Sequence, residues 1–117
     1  MTPPSEIRVS QDRQTLAIAF GHETHRLSAE MLRVLSPSAE VQGHSPEQRV
    51  TVGGKRQVTI ARIEPVGNYA IRIVFGDGHD TGLFTWRYLD TLGREKDERW
   101  SAYLAELEAK GLSRDGR

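Results

Sequence analysis

Apolar and polar residues alternate along much of this chain with a period of two, the signature of strands that bury one face. Glu6 to Ser10 alternates in this way and reads as a short edge strand. After a turn at Gln11, Asp12 and Arg13, Leu16, Ile18 and Phe20 fall on one side and Ala17 and Ala19 on the other, which predicts a core strand. Gly21 to Thr24 turns the chain, so His25 to Ser28 is expected to return as a hairpin partner. Further on, Gly53-Gly54 signals a hairpin, Val58 and Ile60 alternate with Gln57, Thr59 and Ala61, and Glu64-Pro65 is expected to end that strand. Tyr69, Ile71, Ile73 and Phe75 mark the clearest strand, and Asp77-Gly78 supplies the positive-φ positions of a tight turn that sends Asp80 to Phe84 back antiparallel.

The period changes to that of a helix in three places. Ser28 is placed to cap a short helix over Ala29 to Leu35, with Met31, Leu32 and Leu35 on one face; Met31 stands where a capping box would have Glu or Gln. Thr85 to Leu92 is expected to form a second short helix, with Gly93 as its stop. Trp100, Tyr103, Leu104 and Leu107 recur at helical spacing, and Glu95 precedes Arg99, as Glu106 precedes Lys110, by four residues. Between the first helix and the middle strands, Ser36 to Gly54 carries Ser, Pro, Gly, Gln and His and is expected to be a long irregular loop. These elements predict one two-layer α+β domain over residues 1–117: an antiparallel meander sheet packed by a C-terminal helix, plus a short helix near residue 30. Residues 1–5 and 112–117 are expected to be disordered tails.

Composition narrows the chemistry more than it names it. The 117 residues suit one domain and leave no room for an oxygenase or nucleotidase domain beside it. Lys plus Arg and Asp plus Glu are 16 each, so there is no overall field favouring nucleic acid. The absence of cysteine removes disulfides, thiolate metal sites and cysteine nucleophiles together. Met1 to Ser10 has prolines and mixed charge instead of a signal sequence, and no run approaches the ~20 apolar residues of a membrane span. A cytoplasmic protein with a protein partner, no membrane or nucleic-acid partner and no cofactor is expected.

Three segments carry a family resemblance: Leu32-Arg33-Val34-Leu35-Ser36-Pro37-Ser38-Ala39-Glu40-Val41 with Gly43-His44, Ile63-Glu64-Pro65-Val66-Gly67-Asn68-Tyr69-Ala70, and Asp77-Gly78-His79-Asp80-Thr81-Gly82-Leu83-Phe84-Thr85-Trp86. In this order and register the chain resembles the N-terminal domain of gamma-butyrobetaine hydroxylase-like proteins from about Ile7 to Leu107. The resemblance implies a module rather than a reaction. In that family the domain occurs alone, before the iron- and 2-oxoglutarate-dependent oxygenase of carnitine biosynthesis, and fused to P-loop ATPases that carry iron-sulfur clusters.

The resemblance also implies a zinc site in the oxygenase branch, made of three cysteines after the first helix and a histidine after a turn. Carried over here, the first two cysteine positions hold Ser36 and Ser38, the third falls near Val41, and the histidine is His79. Serine hydroxyls are poor substitutes for thiolates, so the expectation is a hydrogen-bonded patch of Ser36, Ser38 and His79 in place of zinc. The alternative is a metal site that joins His79 to His44, with Glu40 or Asp80 as the carboxylate. His22-Glu23-Thr24-His25 is one residue short of the helical zinc-protease motif and reads as solvated turn residues. Asp77 and Asp80 flank His79, which suggests a Ser-His-Asp relay, yet nothing resembles a nucleophile elbow. Gly53-Gly54-Lys55-Arg56 is a basic tip without phosphate-loop spacing.

The function expected from this reading is a non-catalytic accessory or protein-interaction module, associated through its relatives with iron-sulfur carriers or iron oxygenases. The expected interaction surface runs over Ser36, Pro37, Ser38, Glu40, His44, Asp77, His79, Asp80 and Trp86. Trp86 or Tyr88 exposed beside His79 would strengthen it.

Overall fold

The computed structural model describes residues 1–21, 23–43 and 45–116; His22, His44 and Arg117 lie outside the described residues. Strands β1 (Glu6–Val9), β2 (Thr15–Phe20) and β3 (Glu23–Ser28) form one antiparallel sheet in the order β1-β2-β3. Its register pairs Ile7 with Ile18 and Leu16 with Leu27, so the apolar alternation of β2 meets that of its neighbours. Helix α1 (Ala29–Val34) follows β3 directly, and the Ser28 hydroxyl caps it by accepting the Met31 N–H at 3.0 Å.

The stretch from Ser36 to Gly54, expected to be irregular, contains a short helix α2 (Ala39–Gln42) and a single 3₁₀ turn at Pro46–Gln48. Strands β4 (Ile60–Val66), β5 (Ala70–Phe75) and β6 (Leu83–Thr85) then build a second antiparallel sheet, followed by helices α3 (Trp86–Arg94) and α4 (Lys96–Ala109). The α+β architecture with a C-terminal helix is as expected, but two three-stranded sheets replace the one sheet of the sequence reading. A turn joins them: Arg13, at φ 62°, accepts the Ile60 N–H at 2.8 Å, and its guanidinium donates to the carbonyls of Ile60 and Ala61, each at 2.6 Å. Leu16, Ile18 and Leu27 of the first sheet and Ile60, Ile71, Ile73 and Phe75 of the second share one core with α1, α3 and α4.

Other expectations shift for physical reasons. Pro65 lies inside β4, paired with Ile71, because β4 is an edge strand and its missing N–H breaks no ladder. Tyr69 precedes β5 and is exposed. On α4, Tyr103 and Leu107 are buried while Leu104 is 39% exposed, so the apolar stripe is narrower than its spacing suggests. The segment after Gly111, expected as a tail, is tied back onto the domain. Ser113 and Arg114 accept the Gly54 and Arg56 N–H groups, and the Arg114 guanidinium grips buried Glu30 through two contacts at 2.7 and 2.8 Å while lying over the Trp100 ring. At the other end, the Ser5 N–H donates to the Ala19 carbonyl at 2.8 Å. Among the described residues no helix is long and apolar enough to cross a membrane.

Candidate functional site

The turn after β5 aims one histidine inward. Gly78 takes φ 93°, the Phe75 N–H donates to the His79 carbonyl at 2.9 Å, and the Asp77 carboxylate accepts the His79 N–H at 3.1 Å. This carries the His79 ring beneath the α1–α2 connection, where Ser36 and Ser38 are also buried. His79 Nε2 lies 3.0 Å from Ser36 Oγ, and Nδ1 lies 3.3 Å from the exposed carboxylate of Glu40. Ser36 Oγ also accepts the Ser38 N–H at 3.2 Å, while Ser38 Oγ caps α2 through the Glu40 N–H and meets Thr81 Oγ1 at 2.7 Å. The Gln42 amide closes the loop by donating to the Ser36 carbonyl at 2.9 Å.

The electrostatics favour a neutral ring. Burial lowers the His79 pKa and the Arg33 charge lowers it further, against the opposing pull of Glu40 and Asp77. Burial alone would raise the Asp77 carboxyl. The hydrogen bonds from Lys55, the His79 amide and Arg33 outweigh it and hold the group at about 2. Neutral His79 that donates from Nδ1 to Glu40 and accepts the Ser36 hydroxyl at Nε2 satisfies both contacts. The carboxylate that reaches the ring is therefore Glu40, whereas Asp77 binds the backbone of the same residue.

Next to this corner opens a cleft of about 490 Å³. Leu35, Pro37, Tyr88 and Tyr103 line it with largely apolar surface, and Ala102 presents its methyl from α4. Arg49, ion-paired with Glu106, and Arg99, paired with Glu95 at 2.9 Å and 5.9 Å from the centre of the Tyr88 ring, add charge. The Tyr88 hydroxyl donates to the Leu35 carbonyl and the Tyr103 hydroxyl to that of Val52 at 2.6 Å, so both rings are held in place.

Two other regions differ from expectation. Trp86, placed on the interaction surface by the sequence reading, is only 8% exposed and donates from Nε1 to the Asn68 carbonyl at 2.8 Å. Its indole closes the core beside β5, so it cannot meet a partner in this arrangement. His25, read as a solvated turn residue, lies in β3 and is 7% exposed, with Nε2 3.0 Å from Asp90 Oδ1 and 3.4 Å from Glu23 Oε1. The basic tip is spent internally: Lys55 pairs with Asp77 at 2.6 Å and Arg56 with Asp115 at the same distance.

A model of the gamma-butyrobetaine hydroxylase-like N-terminal family matches residues 7–90, which takes in the Ser36–His79 corner and α3 as far as Asp90. The chain belongs to this family. A solution NMR structure that is 49% identical superposes with a TM-score of 0.85, covering 98% of this chain and 91% of that one. A second solution NMR structure, 43% identical, has a TM-score of 0.83 over 97% of this chain and 86% of that one. A crystal structure of a protein with unknown function from Acidithiobacillus ferrooxidans ATCC 23270 is 40% identical, with a TM-score of 0.62 over 78% of this chain and 92% of that one. No curated protein matches the chain.

The zinc set implied by the family resemblance does not fit these residues. Val41 is a buried hydrocarbon, Ser36 and Ser38 offer hydroxyls already committed to hydrogen bonds, and His79 Nε2 faces Ser36. The pairing of His79 with His44 lies outside the described residues. Of the expected surface, Ser36, Ser38, His79 and Trp86 are buried, Pro37 and Asp80 are half-buried, and Glu40 is exposed. The lining of the cleft by Tyr88, Arg99 and Ala102 was missed as a set, because Tyr88 precedes Leu92 by four residues and reads as part of the core face of α3.

Proposed function

We propose that the chain is a non-catalytic docking module whose binding surface is the cleft between the Ser36–Pro37–Ser38 connection and α4. The observation that carries this reading is the cleft itself: an apolar floor held rigid by two tyrosine hydroxyl contacts, with arginine guanidiniums among its walls. A floor of this kind takes one apolar side chain of a partner, and Arg49 and Arg99 favour a carboxylate beside it. The Ser36–His79–Glu40 row is structural in this reading. Ser36 has no exposed surface and its oxygen already accepts the Ser38 N–H, so a substrate carbonyl has no approach to it. The row instead fixes the loop that forms one wall of the cleft.

The partner class follows from the domain company kept by the family: an iron-sulfur cluster carrier or an iron- and 2-oxoglutarate-dependent oxygenase. Ala102 is the position to probe, because it is exposed within the cleft and lies outside the core. A photo-crosslinking side chain at 102 is expected to capture such a protein in cells, while the same group at exposed Thr24 does not, and Ala102→Arg is expected to abolish capture by a second probe at Gln42. Equal capture from 102 and 24, or capture that survives Ala102→Arg, would sink the proposal.

A further inference from the structure

Glu23, His25 and Asp90 form a second corner, distinct from the cleft and from the Ser36–His79 row, which the docking role leaves unused. Strand alternation places Glu23, His25 and Leu27 on one side of β3, and α3 packs against that strand. Leu27 continues into the core, whereas His25 ends above Gly93 of α3, so close that a Cβ at residue 93 would overlap the imidazole ring. Asp90 stands one helical turn before Gly93 and so faces the same strand.

We propose that Glu23, His25 and Asp90 bind a first-row divalent cation, with zinc as the reference ion. Their ligand atoms all lie within 4.8 Å of one another. The separations from His25 Nε2, 3.0 Å to Asp90 Oδ1 and 3.4 Å to Glu23 Oε1, are close to the ~3.4 Å between two donors of a tetrahedral ion bound at about 2.1 Å. One imidazole and two carboxylates suit zinc or its neighbours better than calcium or magnesium, which favour all-oxygen shells. Asp90 is built as a ligand should be, because its second oxygen is held by Arg94 at 2.9 Å while the first turns toward His25. The side chains of His25 and Asp90 are 7% and 15% exposed and that of Glu23 56%, so the corner has a fixed base and an open lip at which water completes the shell. The carboxylates of Glu23 and Asp90 outnumber the guanidinium that Arg94 brings to Asp90, and a divalent ion offsets that excess of negative charge.

The test is calorimetric titration of chelator-stripped protein with zinc chloride, using wild type, Glu23→Gln, Asp90→Asn and a Ser36→Ala/His79→Asn control. Wild type and control are expected to bind one zinc per chain. The two carboxylate variants are expected to lose at least about tenfold in affinity, the loss that even an outer-shell partner causes. Glu23 is largely solvated, so Glu23→Gln keeps the fold, and its unchanged melting temperature without metal serves as the check. No stoichiometric binding by wild type, or wild-type affinity in both carboxylate variants, would overturn the site. Neither result touches the cleft, whose probe at Ala102 reads protein capture alone.

Discussion

Two buried histidines face carboxylates in this molecule, and their surroundings lead them to different chemistry. His79 is answered on one ring nitrogen by a buried hydroxyl and on the other by an exposed carboxylate, within a network of Ser36, Ser38, Thr81 and Gln42. His25 turns a single nitrogen toward two carboxylates and leans its ring on a helix that has no side chain at the point of contact. A hydroxyl network saturates itself, since each oxygen both donates and accepts. Two carboxylates about one nitrogen cannot saturate each other, and they leave charge that invites a cation. The identity of the partners, more than burial, separates a structural histidine from a ligand.

The largest expected effect tests the saturated corner. Ser36→Ala leaves the ring nitrogen of His79 and the Ser38 N–H without their buried partner, and two such losses amount to about 3 kcal/mol. Urea denaturation measures it. A loss below about 0.5 kcal/mol would mean that water replaces the hydroxyl and that the corner is not a closed network.

Gly93→Ala tests the other corner. Overpacking against the imidazole costs up to about 3 kcal/mol, and the better helix propensity of alanine returns ~1, for a net loss of about 2 kcal/mol. In a His25→Ala background the same substitution is expected to be neutral or stabilising, because the ring is gone. An equal loss in both backgrounds would show that the contact between ring and helix is not what Gly93 serves.

The parts of this fold legible in the sequence are those with local causes. The period of β2 and the Ser28 cap each depend on neighbours within a few residues, and each is where the pattern puts it; the Asp77-Gly78 turn forms with positive φ at Gly78 alone, and the strand that returns from it is Leu83–Thr85 instead of Asp80 to Phe84. The meeting of Ser36 with His79 came from matching family segments, since 43 residues separate the two. What escaped has distant causes. Gly93 reads as a helix stop until His25, a strand away, explains it as a contact. Arg114 and Glu30 lie 84 residues apart, and no local pattern marks a tail that will be pinned by an ion pair. The link between the two sheets, made by Arg13 holding β4 through its carbonyls, is likewise encoded by no periodicity.

Acid should separate the network from its flanking aspartate. The His79 pKa in the fold lies below its ordinary value of 6.5, so between the two values the unfolded chain binds the proton more readily. This contribution to stability is complete above about pH 6.5 and is lost as the pH falls toward the folded value. Asp77 acts lower: held at about 2 against an ordinary 3.8, it contributes stability that disappears only as the pH drops through that interval. Thermal melts of wild type and His79→Asn are expected to diverge above pH 6.5 and converge below it, with Asp77→Asn flattening the lower limb and carrying the His79 limb to lower pH. Parallel curves for wild type and His79→Asn would mean that the ring titrates as it does in the unfolded chain.

The smallest expected effect is the most specific. Glu40 is 64% exposed, so Glu40→Gln should change stability at neutral pH by no more than about 0.5 kcal/mol. Yet Glu40 is among the groups that hold the His79 pKa up against burial and Arg33. Removing its charge should therefore lower that pKa further and carry the acid-sensitive limb to lower pH, which proton NMR of the His79 ring would follow directly. A ring pKa that stays put or rises would place Glu40 away from Nδ1 in solution. The His79 ring would then lack the carboxylate contact at Nδ1 and the contrast with His25 would widen; a fall would confirm that the Glu40 carboxylate reaches the His79 ring.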